Sequence, residues 1–209
     1  MSERYLRRHY FLMALRLIRE WIQFYKRGFS APSPTFIKMK TLMFFSNING
    51  CWVETGTYMG GTTKFLAKRF PAVTSIEPSV FFYNYSKSRL RKTKNVTLLN
   101  GTSEALFESA LISAAPVANV WLDGHFSDGG TFLGSKVSPV EEELASVRRN
   151  LDKFNSLVIF IDDVRLFPRS DDEETGYPKF QWVIDWCSRN GFVWQVQNDI
   201  LIAVMIRKI

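Results

Sequence analysis

Val53-Glu54-Thr55-Gly56-Thr57-Tyr58-Met59-Gly60-Gly61-Thr62 reads as a strand that breaks into a glycine turn and restarts as a helix. Cys51 to Thr55 is a short apolar run of strand length, and the spacing G-x-x-x-G-G follows it at once. Glycines let the backbone approach a ligand closely, and a helix N-terminus offers N–H groups without intrahelical partners. In an open α/β sheet, ligands bind beyond the carboxyl ends of the strands, near the first such turn.

Outward from this turn the chain keeps a strand-then-helix rhythm. Strands are expected at 51–55, 73–77, 95–99, 118–123 and 156–162, with helices at 61–69, 79–91, 103–113 and 139–152 between them. Such alternation implies βαβ units with right-handed crossovers and a parallel sheet. After a polar loop at 168–178 come a helix at 179–189 and two apolar strands at 191–197 and 200–206. Asn198-Asp199 between them is a turn signal, so the sheet should end in an antiparallel hairpin.

The glycine spacing is not the G-x-G-x-x-G of a dinucleotide pyrophosphate site. Glu54 stands two residues before Gly56, and a carboxylate there would repel a pyrophosphate but suits an ammonium or a sulfonium. That favours S-adenosylmethionine over NAD. Glu77 lies 21 residues beyond Gly56 at the end of the second strand, where an acid can hold two ribose hydroxyls, and Pro78 keeps it extended. At the third strand end, Thr102 or Ser103 could meet an adenine edge, or Ser103 could simply cap a helix that begins at Glu104. The candidate cofactor contacts are therefore Glu54, Gly56, Thr57, Tyr58, Gly60, Gly61, Thr62, Glu77, Thr102 and Ser103, with Asp123 added from the fourth strand.

Two further strands end in acids, Val120-Trp121-Leu122-Asp123-Gly124-His125 and Ile159-Phe160-Ile161-Asp162-Asp163. On adjacent strands, Asp123, Asp162 and Asp163 would meet at one edge of the sheet. Three carboxylates in one place need protons or a cation, and an all-oxygen set suits Mg²⁺ or Ca²⁺ better than zinc. The plainer alternative is that Asp162 caps a helix and Asp163 is solvated.

From Trp52 onward the chain resembles class I methyltransferases, and among them the metal-dependent O-methyltransferases of the macrocin (TylF-like) sugar-modifying type. The motifs V-E-T-G-x-x-x-G-G-T, I-E-P, W-L-D-G-H and F-I-D-D carry the resemblance. It implies a Rossmann-like α/β fold with a seven-stranded mixed sheet, an S-adenosylmethionine cofactor and a sugar or glycan hydroxyl as acceptor. It also implies Mg²⁺ on Asp123, Asp162 and Asp163. Where that family often carries a second aspartate as base, this sequence has His125, and imidazole can take a proton near neutral pH. The expected catalytic residues are His125 and Asp123. The loops 126–134 and 165–177 would act as lids, with Phe126, Phe132, Phe167 and Tyr177 able either to stack on a ring or to pack within the loops.

The net charge of +7 has a single source. Residues 1–50 hold nine Lys/Arg against Glu3 and Glu20, while the other 159 residues balance. Apolar positions 11, 14, 15, 18, 22 and 25 make Tyr5 to Tyr25 an amphipathic basic helix closed by Gly28. Ser30-Ala31-Pro32-Ser33-Pro34 is a linker, and Thr35 to Phe45 a second helical pattern. This divides the chain into a basic helical extension, 1–48, and a cofactor-binding domain, 49–209. The apolar run 11–15 is too short for a signal peptide, and no stretch reaches the ~20 apolar residues of a membrane span. Cys51 and Cys187 lack disulfide or metal spacing and suit a reducing, cytoplasmic setting. The basic helix reads first as a cap on the sheet or a homo-oligomer surface. A nucleic-acid footprint, which would make the chain an RNA methyltransferase, and a membrane- or partner-docking face on a non-catalytic module are the alternatives. The neutral body and the acidic run 171–174 speak against nucleic acid.

Overall fold

In a computed structural model, which describes residues 15, 17–123, 138–169 and 176–206, the alternation becomes a seven-stranded sheet. Two helices precede it, α1 (17–26) and α2 (Thr35–Phe45). Then follow β1 (Cys51–Thr55), α3 (Gly61–Ala67), β2 (Val73–Glu77), α4 (Val80–Leu90), β3 (Val96–Asn100), α5 (Ser103–Ser113) and β4 (Val117–Leu122). The chain ends with α6 (Val140–Arg149), β5 (Ser156–Ile161), α7 (Phe180–Arg189), β6 (Phe192–Gln197) and β7 (Ile200–Met205). The expected helix 139–152 stops early because Asn150 turns its amide back onto the Ser146 carbonyl, 2.9 Å away, and a short 3-10 turn takes over.

The strand order is β3-β2-β1-β4-β5-β7-β6, with β1 to β5 parallel and β7 antiparallel to both its neighbours. This is the mixed sheet with a terminal hairpin that the sequence rhythm implied. The order reverses between β1 and β4, so the ends of β1, β2, β4 and β5 surround one crevice. Ladder bonds carry the alignment past the strand ends: Asp123 N–H donates to Thr55 O and Asp162 N–H to Leu122 O.

Alternate residues of each strand face opposite layers. Val53, Val120 and Ile159 pack with α5, α6 and α7 in one core, while Trp52, Trp121 and Phe160 face the other way. That second core is closed by Met39 and Leu42 of α2 together with Leu66 of α3, and Trp52 stacks on Phe160 at 5.5 Å. The segment 35–45 is thus built into the sheet's packing. Glu20 of α1 holds the start of α2 by accepting from the Thr35 N–H at 3.0 Å. The rest of α1 packs little: Phe24 is buried, but Ile18, Ile22 and Tyr25 of its apolar stripe are exposed. Among the described residues no helix is long and apolar enough to cross a membrane.

Candidate functional site

The glycine turn has the strained geometry its composition suggested. Gly56 and Gly60 take φ of 84° and 69°, and Tyr58 between them takes 48°, which a side chain tolerates only when the surroundings hold it. Two bonds do so: Gly60 N–H donates to Thr57 O at 2.8 Å, and Tyr58 N–H to Glu77 Oε2 at 2.7 Å. A Cβ on Gly60 would press on Leu90 and Ser86 at 3.1 and 3.2 Å, whereas one on Gly61 would meet open space.

Glu54 lies on the α2–α3 face of β1 and is fully buried. Its Oε2 accepts from Thr63 Oγ1 at 2.5 Å and Ser75 Oγ at 2.6 Å, while Oε1 is buried with no hydrogen-bond partner. Thr63 is the next residue after the expected contact Thr62. Ser75, which sequence reasoning missed, also lies 2.5 Å from Thr57 Oγ1 and ties the turn to β2. Burial pushes Glu54 up to about 7, with the two hydroxyls pulling it back and Glu77 adding to the rise. A carboxyl poised there gains most from an approaching cation.

Glu77 ends β2, and its two oxygens accept from Tyr58 N–H and, at 2.9 Å, from Ser79 N–H. A carboxylate has about four lone-pair sites, so two remain for hydroxyls. Burial raises its pKa, and the two N–H donors oppose that rise. Asn100 and Gly101 both donate to the Glu77 carbonyl, which brings the β3 turn against the β2 end.

At that turn α5 begins at Ser103, not at Glu104. Thr102 is its N-cap residue yet makes no side-chain capping bond. Ser103 is buried toward Glu143 of α6, another residue not singled out from the sequence. Burial pushes Glu143 up to about 7, while the hydroxyls of Ser103 and Thr55 pull it back. Of the two candidates for an adenine edge, Thr102 has the freer hydroxyl.

At the β4–β5 edge the acids do converge, and they converge on a lysine. Lys38 Nζ of α2 lies 2.6 and 2.8 Å from the two oxygens of Asp162 and 2.6 Å from Asp163 Oδ1. Arg165 Nη1 also donates to Asp163 Oδ1, at 2.6 Å, and pairs with Asp199 in the β6–β7 turn. The order is alternating in charge: Asp162, Lys38, Asp163, Arg165, Asp199. Burial alone would depress Lys38, but Asp162 and Asp163 outweigh it and hold the ammonium above its usual range. Burial, and then Asp162, push Asp123 well above the ordinary carboxyl value, which joins Asp123 electrostatically to the cluster.

Neither plain alternative for these residues holds. Asp163 is buried, takes φ 52° and precedes a 3-10 turn at Val164–Leu166, and Asp162 binds Lys38 rather than capping a helix. The expected Mg²⁺ ligands are brought to one edge, but as arranged they do not fit a divalent ion. Both Asp162 oxygens and one of Asp163 already face an ammonium. Among the described residues no group of three or more His, Cys, Asp or Glu is disposed to hold a metal.

His125, Phe126, Phe132 and the acidic run 171–174 lie outside the described residues. Of the two readings open for Phe167, packing is the one found: it is buried in the core with Tyr177 edge-on at 5.1 Å. Tyr177 is close enough to the acids that, after burial, Asp163 and Asp123 raise its hydroxyl further.

The fold and these strand-end acids define the class: the chain has the Rossmann-like methyltransferase fold. An O-methyltransferase from Bacillus cereus in complex with SAH superposes with a TM-score of 0.55 at 16% identity, covering 91% of this chain and 90% of that one. A candidate rRNA methylase from Clostridium thermocellum gives 0.57 at 14%, over 81% and 95%. A candidate caffeoyl-CoA O-methyltransferase from Staphylococcus aureus gives 0.56 at 14%, over 81% of each. At such identities the likeness is one of fold. No family model and no curated protein matches the chain.

Proposed function

We propose that this chain is an S-adenosylmethionine-dependent O-methyltransferase acting on a hydroxyl of a sugar or glycan. One observation carries the cofactor: the unpartnered Glu54 Oε1 and the Glu77 carboxylate flank a left-handed glycine turn at neighbouring strand ends. Glu54 would face the cationic methionine portion and Glu77 the ribose. Gly56, Thr57, Tyr58, Gly60 and Gly61 shape the space between, and Thr102 is placed for the base. The O-methyl and sugar assignments rest on the resemblance of the W-L-D-G-H and F-I-D-D motifs. The two free cysteines suit a cytoplasmic setting.

Bound S-adenosylmethionine would supply an activated methyl group; the acceptor oxygen would take it as the C–S bond breaks with its electron pair returning to sulfur, and the hydroxyl proton would leave to a base. His125, two residues past Asp123, is the proposed base. Asp123 borders the acceptor position. The sulfonium already activates the methyl group, so alignment is the main contribution asked of the protein. Lys38 stands among the expected Mg²⁺ ligands, so the proposed reaction uses the chain's own cation there in place of a metal.

Calorimetry with S-adenosylmethionine on the wild-type chain and on Glu77→Ala tests the cofactor. The wild type should bind, and the variant should lose at least about tenfold in affinity, since charge-assisted hydrogen bonds contribute about 1.5–3 kcal/mol each. A methyl-transfer panel of deoxysugars, glycans, catechols and RNA, with and without EDTA, tests the acceptor. A wild type that ignores the cofactor, or turnover confined to RNA, would overturn the reading.

A further inference from the structure

An ammonium has three N–H donors and no acceptor. Lys38 spends all three at the acidic edge, two on Asp162 and one on Asp163, at 2.6 to 2.8 Å. The helix that delivers it is fixed at several points. Met39 and Leu42 are buried against the sheet, the Thr41 hydroxyl accepts from Asn198 Nδ2 at 2.9 Å, and Thr35 is held by Glu20. The packing of α2 brings Lys38 to this edge, and its three bonds to Asp162 and Asp163 hold the ammonium there. A divalent ion would need the same carboxylate oxygens at about 2.0–2.1 Å for magnesium, with an octahedral shell around it. Lys38 Nζ already stands between those oxygens, and two cations cannot share that gap.

We propose that Lys38 is a resident cation that replaces a divalent ion at this edge, holding Asp162 and Asp163 in place and making the methyl transfer metal-independent. This rests on the reading of the β4–β5 edge as the acceptor side of the site. Lys38 is a positioning residue, because its donors are used on the aspartates and act on an acceptor only through them. Arg165 supports the same arrangement from the other side of Asp163.

Mn²⁺ is the probe. Full-length wild type, Lys38→Met and Lys38→Ala are titrated with Mn²⁺ by electron paramagnetic resonance, with S-adenosylmethionine binding measured on the same samples. The expected result is that the wild type leaves Mn²⁺ free into the millimolar range. The two variants, with their carboxylates released, should bind one equivalent at least roughly tenfold more tightly. Tight stoichiometric binding by the wild type, lost in Asp162→Asn, would overturn the proposal. So would folded Lys38 variants that gain no site. Should neither variant fold, the ¹⁵N-labelled wild type decides: a slowly exchanging Lys38 ammonium signal untouched by Mn²⁺ supports the proposal, and its broadening at one equivalent refutes it. Failure of the cofactor assignment shows separately, as absent S-adenosylmethionine binding.

Discussion

At the β1–β2 edge, Glu54 and Glu77 are held by hydroxyls and backbone N–H groups, none of which carries a charge. At the β4–β5 edge, Asp162 and Asp163 are held by Lys38 and Arg165. Neutral donors fix a carboxylate's position without cancelling its charge, which on the proposed reading suits the first edge to a cationic, hydroxyl-bearing ligand that arrives from outside. Fixed cations position a carboxylate and offset its charge, and with Lys38 as the proposed resident cation the second edge needs no added ion. Two neighbouring pairs of acids on one sheet thus have opposite electrostatic fates, decided by what surrounds them.

The largest effect should come from removing the cation of the second edge. Lys38→Met leaves Asp162 buried with neither of its Lys38 bonds, whereas Asp163 keeps Arg165. Breaking one partner of a buried pair costs about 3–5 kcal/mol, because the remaining charge is stranded. Urea unfolding should show a loss of that order. Lys38→Met combined with Asp162→Asn should recover most of it, since the stranded charge is then gone. A double variant no more stable than the single one would mean that Lys38 matters for packing and not for charge.

The first edge should show itself in a pH profile. Burial sets Glu54 and Glu143 at about 7, against an ordinary 4.5. The folded state therefore holds these protons more tightly than the unfolded chain does. The stability they contribute is full below about 4.5 and is lost as pH rises through about 7. At 1.36 kcal/mol per pKa unit, this is up to about 3 kcal/mol for each group. Denaturant midpoints measured from pH 4.5 to 8 should fall with pH. Glu54→Gln should remove a part of that slope and leave the parts of Glu143, Glu77, Asp123 and Asp162, whose carboxyls burial also raises, and a variant with an unchanged slope would place the titration elsewhere.

How much of this could be read beforehand depended on sequence distance. The turn 56–61, Glu54 and the five parallel strands are written locally, in glycine spacing and in alternating apolar runs, and they emerge within a residue or two of expectation. The acids at 123, 162 and 163 were also visible, because the parallel register that aligns strand ends follows from the βαβ rhythm. Lys38 was not. It lies 124 residues from Asp162, in a segment that read as a helix of a basic extension and carried no sign of a partner for this lysine. Read by composition, that charge belonged to a basic extension; in three dimensions one of its lysines is half-buried and paired with the acids of the sheet edge. Ser75 and Glu143 escaped for a related reason: one is an ordinary strand residue and the other ends a run of three glutamates at a helix start, where no spacing announces a partner. Phe167 was open to either stacking or packing by sequence, and the structure puts it in the core.

The smallest effect concerns Thr102, and it separates capping from recognition. Its hydroxyl makes no capping bond to α5, so Thr102→Ala should change unfolding free energy by no more than about 0.5 kcal/mol, as for an ordinary surface substitution. A lost side-chain cap would instead cost about 1 kcal/mol. If that hydroxyl reads the adenine edge, S-adenosylmethionine should bind several-fold more weakly to the variant, in line with one neutral hydrogen bond of about 0.5–1.5 kcal/mol. Calorimetry and denaturation on one preparation distinguish the outcomes. Unchanged affinity with unchanged stability would move base recognition away from Thr102, and Ser103 could not inherit it while its side chain stays buried toward Glu143.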